Sequence, residues 1–133
     1  MGKEVFKYEQ PFILESGAVL PELDIAYNTY GRLNADKSNI IWVCHALTAN
    51  SDVLDWWHGL FGDGDLFNPE DHFIVCANNL GSCYGTTGPL SINPETAKSW
   101  FSDFPTITIR DMANALELLK KELKIEKIHT VIG

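Results

Sequence analysis

Ile40-Ile41-Trp42-Val43-Cys44 runs directly into His45-Ala46-Leu47-Thr48-Ala49-Asn50. Five apolar residues in a row read as a strand buried on both faces, and the small, polar residues after it read as a loop. A second run of this kind, Phe73-Ile74-Val75-Cys76-Ala77, leads into Asn78-Asn79-Leu80-Gly81-Ser82-Cys83-Tyr84-Gly85-Thr86-Thr87-Gly88-Pro89. A third, Ile128 to Ile132 with His129 inside it, meets Gly133. Between the second and third runs the spacing predicts a helix. Thr108-Ile109-Arg110-Asp111 resembles a capping box with Asp in place of Glu. Met112, Ala115, Leu116 and Leu119 then share one helical face, and Lys120-Lys121 supply cations where the macrodipole favours them.

Upstream, Phe6 to Leu14 is strand-like, Glu15-Ser16-Gly17 is a turn signal, and Leu23 to Tyr30 alternates with period two. Gly31 to Asn39 reads as a polar loop. The order is therefore a β-hairpin followed by buried strands with helical material between them. That predicts an α/β fold: an antiparallel edge, then parallel strands with crossover helices. The segment from Asn78 to Pro105 is rich in Gly, Ser, Thr, Asn and Pro, and loops of that length are usually functional. The strand ending at Ile132 has no following helix to cover it, so a continuation of the chain is expected.

Length and composition fit one globular domain: 133 residues, 45% hydrophobic and 21% charged. Net charge is −8, which argues against nucleic acid or an anionic membrane as the main partner. The longest apolar runs are five residues, far short of a membrane span. Met1-Gly2-Lys3-Glu4 opens no apolar signal region, and Phe6 stands where a myristoylation motif needs Ser or Thr. Cys44, Cys76 and Cys83 are an odd number, which suggests reduced thiols in the cytoplasm, with Cys44 and Cys76 as small core residues.

The loops after the first two buried strands are the places for chemistry, because α/β sheets bind ligands beyond the carboxyl ends of their strands. In the first loop, backbone N–H groups can point into a cleft, as an oxyanion hole requires. Equally, His45 can simply hydrogen-bond locally. In the second loop, glycines permit close backbone approach, or a tight structural turn. Its spacing does not match a phosphate-cradling loop. Cys44, His45, His58, His72, Cys76 and Cys83 show no metal-ligand spacing, so no metal is expected. Trp56-Trp57-His58 reads as core or pocket wall in a short helix, and Asp52, Asp55, Asp63 and Asp65 as a solvated surface. G-x-S-x-G is absent from the sequence, so no serine nucleophile is evident.

Several segments together resemble the homoserine O-acetyltransferase family of the α/β-hydrolase superfamily. They are Ala26-Tyr27-Asn28-Thr29-Tyr30-Gly31 with Leu33-Asn34, Val43-Cys44-His45-Ala46-Leu47-Thr48, Trp56-Trp57, Asn79 to Pro89, Phe104-Pro105, Thr108 to Asp111 and Val131-Ile132-Gly133. The resemblance runs from about Phe12 onward. It implies an N-terminal portion of one α/β-hydrolase domain, with Gly133 similar to the first glycine of the family's G-G-S-M-G-G nucleophile elbow. The catalytic serine is then expected just beyond Gly133, with the Asp and His of the triad later still.

By the same resemblance, Leu47 supplies an oxyanion-hole backbone N–H, and Thr48, Ala49 and Asn50 line the substrate site. The implied reaction is ping-pong transfer of acetyl from acetyl-CoA, a co-substrate rather than a bound cofactor, to L-homoserine in methionine biosynthesis. A succinyl donor, a serine acceptor or an esterase are the alternatives. A full-length homodimer is implied, and a 133-residue piece is expected to be inert and to self-associate. Ala49, Ser82 and Ser99-Trp100-Phe101 depart from the family's common residues. They flank the implied cleft and bear on the choice of donor and acceptor.

Overall fold

A strand that is apolar at every position needs cover on both faces, and the two such runs find it beside each other. In the computed structural model, which describes residues 2–133, the elements are β1 (Gly2–Tyr8), β2 (Phe12–Ile13), β3 (Val19–Leu20), β4 (Leu23–Tyr30), β5 (Ile40–Cys44), α1 (Val53–Trp56), β6 (Phe73–Ala77), β7 (Ile92–Asn93), β8 (Lys98–Ser99), α2 (Ile109–Glu122) and β9 (Thr130–Ile132). β5 and β6 pair in parallel from Ile40↔Phe73 to Cys44↔Ala77. Alternation sends Ile40, Trp42, Val75 and Ala77 to one face, in a core with Ala115 and Leu119 of α2. Ile41, Val43, Ile74 and Cys76 take the other face, with Val53, Phe61 and Phe67. Each fully buried aliphatic side chain contributes about 1.5–3 kcal/mol, so this central pair carries much of the stability.

The main sheet has the order β1-β4-β6-β5-β9. β4 is antiparallel to β1 and β6, while β5 is parallel to β6 and β9. This is the mixed sheet expected from the sequence. Two details differ. The expected strand from Phe6 to Leu14 is two strands: β1 pairs along the whole of β4, and β2 pairs with β3 around the Glu15-Ser16-Gly17 turn. Pro11, which has no N–H to give a ladder, marks the break. β4 does not alternate in burial, because its second face is covered as well: Ala26 lies against Gly85, Asn28 bonds Ser51 and Tyr30 packs on the second core. The third apolar run is the uncovered strand that the sequence leads one to expect. Only Thr130–Ile132 pairs, with β5 alone, and Val131 is 62% exposed.

Gly31 ends β4 at φ +79°, where an added Cβ would sit 2.0 Å from the His72 carbonyl oxygen and 2.4 Å from that of Pro69. No other residue fits there. The long segment after β6 is not structureless: it contains the β7–β8 hairpin and a short 3-10 turn at Phe101–Asp103.

α2 begins as its sequence predicts. The Thr108 hydroxyl accepts from Asp111 N–H at 3.1 Å, and the Asp111 carboxylate accepts from Thr108 N–H at 2.9 Å. Its other oxygen accepts from Glu15 N–H at 2.9 Å, which ties the helix start to the β2–β3 turn. Burial pushes the fully buried Asp111 carboxyl up, but the hydrogen bonds from Thr108 and Glu15 outweigh it and hold it below its ordinary value. A depressed carboxyl contributes stability above the unfolded-state value and loses it as pH falls through the folded-state value. Asp111→Ala removes the cap and orphans Glu15 N–H, so urea titration at neutral pH should show a loss of about 2–4 kcal/mol. The gap between the two proteins should narrow as the titration is repeated at increasingly acid pH.

Candidate active site

The carboxyl ends of three parallel strands lie side by side. Cys44 is level with Ala77, and Val43 with Ile132, so His45, Asn78 and Gly133 leave neighbouring strands at one end of the sheet. The chain passes from β5 to β6 on one side and then from β6 to β9 on the other. β5 is thus the switch point at which open α/β sheets form their ligand crevice. Gly133 lies close against β5: a Cβ on it would be 2.9 Å from the Cys44 carbonyl oxygen.

The loop after β5 makes a four-residue turn, closed by Ala49 N–H donating to the Ala46 carbonyl at 3.0 Å. Leu47 and Thr48 are its two central residues. A turn of this kind satisfies neither central N–H internally. Among the described residues neither the Leu47 nor the Thr48 N–H donates to an acceptor, and the Leu47 residue is 98% exposed. The loop therefore presents two adjacent free donors, which is what binding a developing oxyanion needs. Ala49 and Asn50 are half-buried behind them. Asn50 faces inward with its carbonyl, which accepts from the Trp56 indole N–H at 2.9 Å.

Besides that Trp56 bond, two grips on this loop come from the start of the loop after β6. Asn79 N–H donates to His45 Nε2 at 3.1 Å, while His45 Nδ1 faces the Ala46 carbonyl at 2.8 Å. This pattern requires the neutral ring with its proton on Nδ1. At the far end of the loop, the Asn78 side chain accepts from Ser51 N–H at 2.9 Å and donates to Ser51 Oγ at 2.8 Å. Ser51 Oγ donates in turn to Asn28 Oδ1 at 2.6 Å. Asn28, Ser51 and Asn78 are all buried, so each missing bond would cost about 1–3 kcal/mol.

The threonines that follow close the remaining gap. β6 covers β4 only from Tyr27 to Tyr30, so the edge of β4 at Asp24 and Ala26 has no strand beside it there. Thr87 Oγ1 accepts from Asp24 N–H at 2.8 Å, and Thr86 Oγ1 accepts from Ala26 N–H at 3.0 Å. Two hydroxyls replace the missing strand. Gly88 lies so near that a Cβ on it would be 2.7 Å from the Ser82 carbonyl oxygen. Ser82 Oγ is buried with no partner among the described residues.

Burial, then the neighbouring Cys44 and Asp52, push the Cys76 thiol up to about 12. Burial alone raises Cys44. Burial, then the hydrogen bond to Asp52, raises the Tyr30 phenol. Tyr30 donates to Asp52, so Asp52 is not only a solvated surface carboxylate. Trp56 and Trp57 stack at 5.1 Å against the second core, as a pocket wall or core residue should.

No protein-family profile matches the chain. The homoserine O-acetyltransferase of Chlorobaculum parvum is 58% identical over 128 residues, which are 96% of this chain and 36% of that protein. The crystal structure of the homoserine O-acetyltransferase from Bacillus anthracis superposes with a TM-score of 0.87 at 34% identity, over 98% of this chain and 39% of that one. Over nearly its whole length the chain is similar to homoserine O-acetyltransferases. The crystal structure of esterase E22 is similar too, with a TM-score of 0.86 at 30% identity over 99% of this chain and 40% of that one. The family's fold is α/β-hydrolase, as the motifs implied. The chain spans about a third of the length of the curated relative it matches.

Within the family's fold, Leu47, Thr48, Ala49 and Asn50 share one short loop at the switch point. Sequence reasoning did not find Asn28, Ser51, Asn78 or Thr86 as a unit. A signal existed: Asn78 is a polar residue placed directly after a fully apolar strand. Cys44 and Cys76 pack into cores on opposite faces of the sheet, and Cys83 is exposed. Native protein treated with Ellman's reagent should show Cys83 reacting at once and Cys76 only after denaturant is added. A Cys83→Ser variant should lose the fast phase and keep the slow one.

Proposed function

We propose that these residues form the oxyanion-loop half of the active site of a homoserine O-acetyltransferase. The observation that carries the reading is the Ala46–Ala49 turn, with its free Leu47 and Thr48 N–H groups at the switch point. In the full-length protein, a serine hydroxyl attacks the thioester carbonyl of acetyl-CoA and loses its proton to a general base. Leu47 N–H holds the oxyanion of the tetrahedral intermediate, and coenzyme A leaves as the thiol. The hydroxyl of L-homoserine then attacks the acyl-serine, giving O-acetylhomoserine for methionine biosynthesis. Thr48, Ala49 and Asn50 line the substrate site. Acetyl-CoA is a co-substrate, and the partners are small molecules.

We read residues 1–133 as the N-terminal portion of a single α/β-hydrolase domain, homodimeric at full length and cytoplasmic. Unpaired cysteines on opposite sheet faces support the reducing compartment. The second reading is ester hydrolysis with water as acceptor, supported by the likeness to esterase E22. Thiol release from acetyl-CoA, followed with and without L-homoserine on the full-length protein, separates the two. Transfer predicts release that continues past one turnover only when homoserine is present. Continuous release without it favours the esterase.

The turn offers a direct probe of the backbone donor. Proline suits the second position of such a turn, so Leu47→Pro deletes the N–H while keeping the loop's shape. It should slow acylation about 100-fold or more, with a much smaller change in KM for acetyl-CoA. Leu47→Ala, which retains the N–H, should lose far less. The 133 residues contain one oxyanion donor loop and no nucleophile elbow, so this chain alone should release no thiol from acetyl-CoA above buffer. Turnover by it would refute the assignment of the nucleophile to a later segment.

A further inference from the structure

Asn78 sits at the first position after β6, 1% exposed, and its two amide faces are used for different ends. Its side chain grips the loop after β5 through both Ser51 N–H and Ser51 Oγ. The same amide nitrogen reaches the Ala26 carbonyl at 3.2 Å and the Tyr84 carbonyl at 3.3 Å. Its backbone is fixed as firmly: Asn78 N–H donates to the Ala26 carbonyl at 2.8 Å, and the Asn78 carbonyl accepts from Thr86 Oγ1 at 2.8 Å. One residue therefore joins β4, the end of β6, the loop after β6 and the loop after β5. Asn79 takes hold of the same loop at its other end, through His45. The Leu47–Thr48 turn lies between these two anchors, and among the described residues its own hydrogen bonds are those of Ala49 N–H and His45 Nδ1 to the Ala46 carbonyl.

An exposed turn with one internal hydrogen bond does not hold a donor to the tolerance an oxyanion hole needs. A displacement of about 1 Å is enough to cost on the order of 100-fold in rate. The precision must come from the anchors; Trp56 and Asn79 give one bond each, whereas Asn78, buried inside the fold, gives two. We propose that Asn78 is a positioning residue for the acyl-transfer step, acting through Ser51 to aim the Leu47 N–H at the developing oxyanion. This rests on the reading of Leu47 given under Proposed function.

The test uses the full-length protein and the burst of thiol released from acetyl-CoA. Burst amplitude counts folded, competent sites, and burst rate reports acylation at each of them. Asn78→Ala should slow the burst rate about 100-fold, with KM for acetyl-CoA changed less than about threefold. A residue that only stabilises the fold would lower amplitude and leave the rate alone, and that result would overturn the proposal. Asn78→Asp guards against a variant that does not fold. Ionised, it accepts from Ser51 N–H but cannot donate to Ser51 Oγ; protonated, it does both, and burial raises its carboxyl toward the assay range. Its rate relative to the parent protein should therefore climb as pH is lowered, and a flat ratio counts against the proposal. The double variant Leu47→Pro with Asn78→Ala should be no slower than Leu47→Pro alone, because the second change acts through a donor already removed. If Leu47→Pro is slow but the Asn78 effect simply adds, the positioning role fails and the Leu47 assignment stands. If Leu47→Pro keeps the parent rate, the Leu47 assignment itself falls.

Discussion

The parallel pairing of Ile40–Cys44 with Phe73–Ala77 leaves neither strand a face for water. Everything polar is thereby driven to the strand ends. Such strands cannot carry a catalytic side chain along their length without burying it. They can deliver loops to a common rim, and the two loops that matter arrive there on adjacent strands. The rim's chemistry is thus a by-product of the core's dryness: the same pairing that excludes water from both faces puts His45 and Asn78 beside each other.

That rim is built from backbone groups more than from side chains. The free donors at Leu47 and Thr48 are peptide N–H groups, and so are most of the groups that hold the loop in place. Side chains act mainly as substitutes for absent backbone. The hydroxyls of Thr86 and Thr87 stand in for a strand along β4, and the amide of Asn78 bonds Ser51 as a neighbouring strand would. This explains why small polar residues crowd the segment from Asn78 to Gly88. Larger ones would fill the space through which the backbones approach, as the close contact between Gly88 and Ser82 shows.

Much of the scaffold was legible from periodicity. The apolar runs at 40–44 and 73–77, the capping box at Thr108 and the helical face of Ala115 and Leu119 all follow from local pattern. Where pattern misled, a tertiary neighbour was responsible. β4 looked half-exposed because alternation cannot reveal that segments distant in sequence cover its second face. The site was legible in part. A loop at a switch point could be located, and the family resemblance singled out Leu47 within it. The clasp of Asn28, Ser51 and Asn78 was not, because its members are far apart in sequence and none is chemically unusual. Their meaning lies in being buried together.

The lengths of chain that each contact closes differ in a telling way. The Asn78–Ser51 bonds close 27 residues, whereas the Glu15–Asp111 bond that docks α2 closes 96. Loop closure costs about 0.6 kcal/mol for each doubling, so the second tie is roughly 1 kcal/mol dearer in chain entropy. The clasp also needs nothing that follows Thr86, while the helix cap needs residues more than twenty positions further on. For a chain that emerges from the ribosome amino end first, the donor loop has all its anchors before α2 exists to be docked. The part of the site that must be rigid is the part that assembles from its own neighbourhood.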